Sequence, residues 1–138
     1  MCKLFTPSVK LYGISKLELW DKLEAEFTWK SIKLDDNKYF YVCWEDWDKI
    51  LMNVQSSLPS YKEDKFDCDN FADLIKVRVA ERFGVNVCAR VDGNTYLGRH
   101  AWNMFFDGDT FHQLESQQKG AVFERDDPRY TPDEIICG

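Results

Sequence analysis

Asp67-Cys68-Asp69-Asn70-Phe71-Ala72-Asp73-Leu74-Ile75-Lys76-Val77-Arg78-Val79-Ala80-Glu81-Arg82-Phe83-Gly84, followed by Val85-Asn86-Val87-Cys88-Ala89-Arg90-Val91, is the stretch on which the fold turns. Phe71, Ala72, Ile75, Val79 and Phe83 recur at helical spacing, Asp67 is a good N-cap, and Gly84 is placed to stop the helix. After Gly84 the apolar period changes from 3.6 to 2, the mark of a helix giving way to a strand. Downstream, Tyr96 to Phe106 is a β-rich run, Asp107-Gly108-Asp109 reads as a hairpin turn, and Thr110 to Leu114 as the returning strand. Ala121–Glu124 and Glu134–Cys137 are further short strand candidates, and Asp92-Gly93-Asn94 reads as a turn between two of the strands. Upstream, Trp44, Trp47, Ile50, Leu51 and Val54 mark an amphipathic helix that Leu58-Pro59-Ser60 ends. Helices followed by an antiparallel meander give an α+β expectation. Residues 1–37 are the least legible: Leu17, Leu19, Trp20, Leu23 and Phe27 approach helical spacing, while Phe27, Trp29 and Ile32 also suit a strand edge.

The chain has 138 residues, 44% hydrophobic, with 7 Gly and 4 Pro, which excludes collagenous and low-complexity classes and fits one domain, 1–138. Within it, 1–37 reads as a variable N-terminal part and 38–138 as the core. A net charge of −6 with no Lys/Arg run argues against nucleic acid as a partner. No apolar run approaches the roughly 20 residues of a membrane span. The N-terminal residues lack the apolar core of a secretion signal, so the expected compartment is cytoplasmic. The five cysteines, Cys2, Cys43, Cys68, Cys88 and Cys137, are widely spaced and form no C-x-x-C pair, so free thiols are expected rather than disulfides or structural zinc.

Three residues occupy positions a thiol enzyme would use. Cys68 opens a helix, where unpaired amides and the helix dipole favour a thiolate, although Asp67 and Asp69 oppose that effect. His100 lies on a strand and Glu115 ends the next one, so an antiparallel hairpin makes them neighbours. Trp102 shares the face of His100, whereas His112 falls on the other face of its own strand. A metal site of Cys88, His100 and His112 is a weaker combination, and the oxygen-rich turns do not continue into a calcium loop.

Phe66-Asp67-Cys68-Asp69-Asn70-Phe71-Ala72, Gly98-Arg99-His100-Ala101-Trp102-Asn103 and Leu114-Glu115 together resemble the Cys, His, acid series of papain-like and transglutaminase-like thiol enzymes. More narrowly they are similar to the C-terminal cysteine-protease domain of the Marasmius oreades agglutinin and its small phage and bacterial relatives. Glu115-Ser116-Gln117 departs from that group's E-P-Q at the proline. The resemblance covers roughly residues 39–137. It implies a papain-like α+β fold, with the nucleophile's helix packed on an antiparallel β-meander. It also implies a cysteine protease or amidase working through Cys68, His100 and Glu115, with Trp102, Gln117 and Tyr61 at a peptide or amide substrate. No cofactor is required by it. Calcium is compatible with it, with Asp69 and Asp73 the carboxylates nearest the nucleophile, and so is a homodimer. The alternative of another class is a non-catalytic, oligomerising or binding module that keeps the fold without turnover.

Overall fold

The computed structural model describes residues 6–118 and 120–138. The elements run β1 (Tyr12–Ser15), α1 (Lys16–Glu26), β2 (Ser31–Leu34), β3 (Lys38–Tyr41), α2 (Trp44–Gln55), α3 (Cys68–Phe83), β4 (Cys88–Thr95), β5 (Gly98–Phe106), β6 (Phe111–Leu114), β7 (Val122–Glu124) and β8 (Tyr130–Cys137). Cys2 lies outside the described residues. Cys43, Cys68, Cys88 and Cys137 are free.

Local chemistry accounts for the helix ends. Asn70 Oδ1 accepts the Asp67 amide at 3.2 Å at the start of α3. Gly84 closes it in the left-handed region at φ +69°, its amide donating to the Ala80 carbonyl. Helix α1, within the segment that periodicity left undecided, starts on a Ser15/Glu18 pair: the Ser15 hydroxyl accepts the Glu18 amide at 3.1 Å. Leu19 and Leu23 form its buried face.

The strands form a two-stranded ribbon, β1-β3, and a six-stranded sheet in the order β2-β8-β4-β5-β6-β7. In that sheet β2 runs parallel to β8, and the other pairs are antiparallel. The expectation of helices first and then a purely antiparallel meander is therefore corrected. Strand β1 precedes the first helix, strands outnumber helices eight to three among the described residues, and the sheet is mixed. A parallel pair joining residues 31–34 to 134–137 leaves no local trace in sequence, because its partners are about a hundred positions apart.

A second correction concerns Asp92-Gly93-Asn94. It lies inside β4, which continues to Thr95, and the turn falls at Tyr96-Leu97. Gly93 is there for close approach. A Cβ at this position would strike the Thr131 carbonyl and come within 2.8 Å of Trp102 Cη2 and 2.9 Å of Pro132 Cα, where the β4–β8 register shifts.

Alternation along β5 determines what each side chain meets. Asn103 faces α3, donating to the Ala72 carbonyl at 2.9 Å and the Ala89 carbonyl at 3.0 Å, while its own oxygen accepts from Ser116 at 2.7 Å. Phe105, on the same side, packs against Trp47 and Trp44 of α2. His100, Trp102, Met104 and Phe106 point the other way, where Lys22 of α1 lies over the Phe106 ring and Phe27 meets Phe111. The sheet is thus covered by α2 and α3 on one face and by α1 on the other. Trp47, Trp102, Tyr39, Phe105 and Ile75 are fully buried in the core. Among the described residues no buried side-chain nitrogen or oxygen lacks a hydrogen-bond partner, and no helix is long and apolar enough to cross a membrane.

Candidate functional site

The register of the β5–β6 hairpin brings His100 and Glu115 together. Asn103 pairs with Leu114, so Glu115 follows onto the face that holds Trp102 and His100. Nε2 of His100 lies 2.9 and 3.0 Å from the two Glu115 oxygens. A carboxylate only accepts, so Nε2 carries the hydrogen, and among the described residues Nδ1 has no hydrogen-bond partner. The Tyr130 hydroxyl donates to the same carboxylate at 3.0 Å. Burial, and then the Glu115 charge, push the Tyr130 phenol up to about 12.

Aromatic packing fixes this group from behind. Trp102 stacks against His100 at 6.1 Å and meets Tyr130 edge-on at 5.3 Å. The Trp102 indole N–H donates to Gln113 at 2.7 Å, and Gln113 in turn donates to the Glu124 and Arg125 carbonyls. In front lies a cavity of about 340 Å³, lined by Tyr96, Arg99, His100, Glu115, Gln117 and Tyr130 among others. Tyr96, at the hairpin tip, is 68% exposed. Arg99 is occupied by a two-pronged pair to Asp133 at 2.6 and 2.8 Å, which holds the Asp133 carboxyl below the usual range.

Cys68 is the first residue of α3 and half-buried, and α3 packs on the Asn103 face of β5. Among the described residues no hydrogen bond joins its thiol to the imidazole, and it does not line the His100 cavity. Asp67 and Asp69 flank it: a hydrogen bond between the two carboxyls raises Asp67 and lowers Asp69. Tyr61 stacks on Phe71 beside this helix start, at 6.4 Å. Of the residues singled out in the sequence, then, His100, Glu115 and Gln117 line one cavity, Trp102 is fully buried behind His100 rather than open to a ligand, and neither Cys68 nor Tyr61 lines that cavity.

The combination of Cys88, His100 and His112 is not assembled. His112 bonds Asp107 at 2.8 Å beneath Trp44, and Cys88 is buried with its thiol pushed up to about 12 by burial. Asp73, one of the carboxylates considered for calcium, is held by Arg90 at 2.8 Å. Tyr96 and Tyr130 were missed in the sequence. Tyr130 is brought in from β8, and only the exposed aromatic next to the Gly98 turn, Tyr96, carried a local signal.

No known protein-family profile and no curated protein matches the sequence. Solved structures do. The PSL1a-E64 complex superposes with a TM-score of 0.70 at 23% identity, over 90% of this chain and 51% of its own. The Polyporus squamosus lectin bound to the human-type influenza-binding epitope Neu5Acα2-6Galβ1-4GlcNAc gives 0.66 at 22%, over 90% and 49%. The fold resembles half of a lectin chain. These matches correct four expectations drawn from the Cys68, His100 and Glu115 motifs. The recognition as a papain-like or transglutaminase-like cysteine protease gives way to similarity with a lectin structure. The papain-like fold, a nucleophile helix on an antiparallel meander, gives way to the eight strands, three helices and mixed sheet described above, which superpose on half of a lectin chain. The expectation of a thiol-dependent hydrolase, with its hydrolase and protease descriptions, is corrected by the same matches, because the fold is that of a structure described as a lectin. The expectation of a peptide or amide substrate is corrected as well: the lectin structure was solved with a sialylated glycan, not a peptide.

Proposed function

We propose that this chain is a non-catalytic carbohydrate-binding module and that the cavity beside His100 receives a sugar ring. The observation that carries the reading is the fold shared with the Polyporus squamosus lectin, a protein solved with a sialylated trisaccharide. The chain spans about half the length of that structure, so the assignment of the cavity rests on its own chemistry. A pyranose offers pairs of hydroxyls, each both donor and acceptor, and an apolar C–H face. Glu115, immobilised by His100 and Tyr130, presents a planar acceptor. Gln117 adds an amide, and the Tyr96 ring at the rim is exposed for stacking. At about 340 Å³ the cavity sits at the small end of ligand sites, which suits one ring of a longer glycan.

The test is titration of the folded chain with Neu5Acα2-6Galβ1-4GlcNAc and with the neutral disaccharide Galβ1-4GlcNAc. Saturable binding that Tyr96→Ala and Glu115→Gln each weaken is expected. Absence of binding across a broad glycan array overturns the reading. The other structural neighbour is a complex with E64, and that compound is the second ligand to try. A non-catalytic module gives no covalent adduct in the intact-mass spectrum; an adduct that disappears in Cys68→Ala contradicts the proposal.

A further inference from the structure

The geometry points to a second site, independent of the sugar cavity: Arg78 and Arg82 of α3, with Ser57 beyond the end of α2, form a receptor for a tetrahedral oxyanion, a phosphate or sulfate monoester. Arg78 Nη1 donates to the Ser57 carbonyl at 2.8 Å and to its hydroxyl at 3.1 Å. Arg82 donates from Nη1 to Asn53 Oδ1 at 3.2 Å and from Nη2 to the Ser57 hydroxyl at 3.3 Å. Spacing of i, i+4 sets the two guanidiniums side by side on one helix face, and both converge on one hydroxyl.

What distinguishes the pair is the absence of a counter-ion. The chain carries 24 acidic residues against 18 basic, and Arg90, Arg99, Arg125 and Arg129 each pair with a carboxylate. Among the described residues no carboxylate lies within ion-pair distance of Arg78 or Arg82. Their recorded acceptors are neutral oxygens.

The structural role of such arginines is to cap a helix C-terminus, and Arg78 fills it through the Ser57 carbonyl. One guanidinium suffices for that. Arg82 reaches only side-chain oxygens, so two positive charges are held near one hydroxyl with only helix C-termini, and among the described residues no carboxylate within ion-pair distance, beside them. Each guanidinium has five N–H donors. Among the described residues Arg78 Nε and Nη2 and Arg82 Nε make no hydrogen bond, which leaves donors for an anion. Both side chains are half-buried and already oriented, so little ordering is required when the anion arrives. The guanidinium fork matches two oxygens of a phosphate or sulfate, while the Ser57 hydroxyl, which donates to the Val54 carbonyl at 3.3 Å, serves to hold the two arginines rather than to bind the anion.

The experiment follows thermal unfolding and heteronuclear NMR of the whole chain. Inorganic phosphate, sulfate and phenyl phosphate are titrated against chloride at constant ionic strength. Expected are saturable shifts at the Arg78 and Arg82 side-chain N–H signals and a rise in midpoint with phosphate or phenyl phosphate that chloride does not give. Arg82→Gln leaves the Arg78 cap in place and should weaken binding by about tenfold or more, since one charge-assisted fork is lost. Arg82→Lys, which keeps charge without the fork, should fall between. Response to phenyl phosphate as well as inorganic phosphate assigns an ester end-group; response to the inorganic ions alone assigns a free oxyanion. Equal responses in wild type and Arg82→Gln, or no preference over chloride, overturn the site. If Arg82→Gln does not fold, the wild-type side-chain N–H shifts still decide, because an anion bound elsewhere leaves them unmoved.

Discussion

Replacing Gly93 by alanine tests the course of β4 at the point where sequence and structure disagree. In the structure the added methyl has no room on two sides that cannot yield. It meets the Thr131 carbonyl and lies 2.9 Å from Pro132 Cα, both backbone, as well as 2.8 Å from Trp102 Cη2 of a fully buried ring. Overpacking of this kind costs roughly 1–3 kcal/mol, and rigid backbone on two sides argues for the upper half, about 2–3 kcal/mol. At an unfolding entropy of about 2.1 cal/mol/K per residue, a chain this long loses roughly 3–4 °C of midpoint per kcal/mol, so the expected fall is about 7–10 °C. Urea and thermal unfolding followed by far-UV circular dichroism read it directly. Gly120→Ala is the control: among the described residues no atom beyond its chain neighbours lies within 4 Å of an added Cβ, and the φ of +69° opposes it, so about 1 kcal/mol is expected. A Gly93→Ala protein within about 0.5 kcal/mol of wild type would refute the close approach and restore a turn at residues 92–94.

Other outcomes follow from the buried polar groups and from titration. Asn103→Ala removes the two donors held by Ala72 and Ala89 and the acceptor of Ser116, so a loss of about 2–4 kcal/mol in urea unfolding is expected; a loss under 1 kcal/mol contradicts that role. At alkaline pH, Tyr39 and Tyr130 are both raised from 10.0 to about 12, burial being the first cause in each. The folded state holds these protons more tightly than the unfolded one, so the stability they supply is complete below pH 10 and is lost as pH rises towards 12. Tyr39→Phe/Tyr130→Phe should flatten the pH 10–12 slope, and an unchanged slope would show that other groups cause it. In acid the sign reverses for Asp133, whose carboxyl is lowered first of all by its hydrogen bonds to Arg99. Its contribution is present above about pH 4 and lost below it, so Asp133→Asn should reduce the stability difference between pH 5 and pH 2.

How far the fold could be read from sequence varies by element. Helix α3 and its Gly84 stop, and the Asp107 hairpin, were visible because each is determined within a few residues: a capping pair, a left-handed glycine, and an aspartate accepting the Asp109 and Thr110 amides at 2.9 and 2.8 Å. Gly93 was misread because Asp-Gly-Asn has the same local signature whether it turns the chain or lets another backbone pass, and the backbone concerned lies nearly forty residues on. The Ser15/Glu18 cap was a readable signal for α1 that apolar spacing alone obscured. At the candidate site, the proximity of His100 and Glu115 followed from hairpin register. Which face of β5 the helix α3 covers did not, because buried Asn103 decides it through Ala72, thirty-one residues away in the chain. The meeting of Arg78 and Arg82 with Ser57 was equally silent, being set by how α2 and α3 pack.

The central claim, a glycan-binding module without turnover, is tested most directly by native mass spectrometry. The chain is incubated with Neu5Acα2-6Galβ1-4GlcNAc and, in the same sample, with limiting iodoacetamide near pH 6. The account predicts a non-covalent glycan complex, diminished in Glu115→Gln, with Cys68 alkylated no faster than an ordinary exposed thiol. Rapid alkylation of Cys68 alone, abolished by His100→Ala and unaccompanied by any glycan complex, would contradict it.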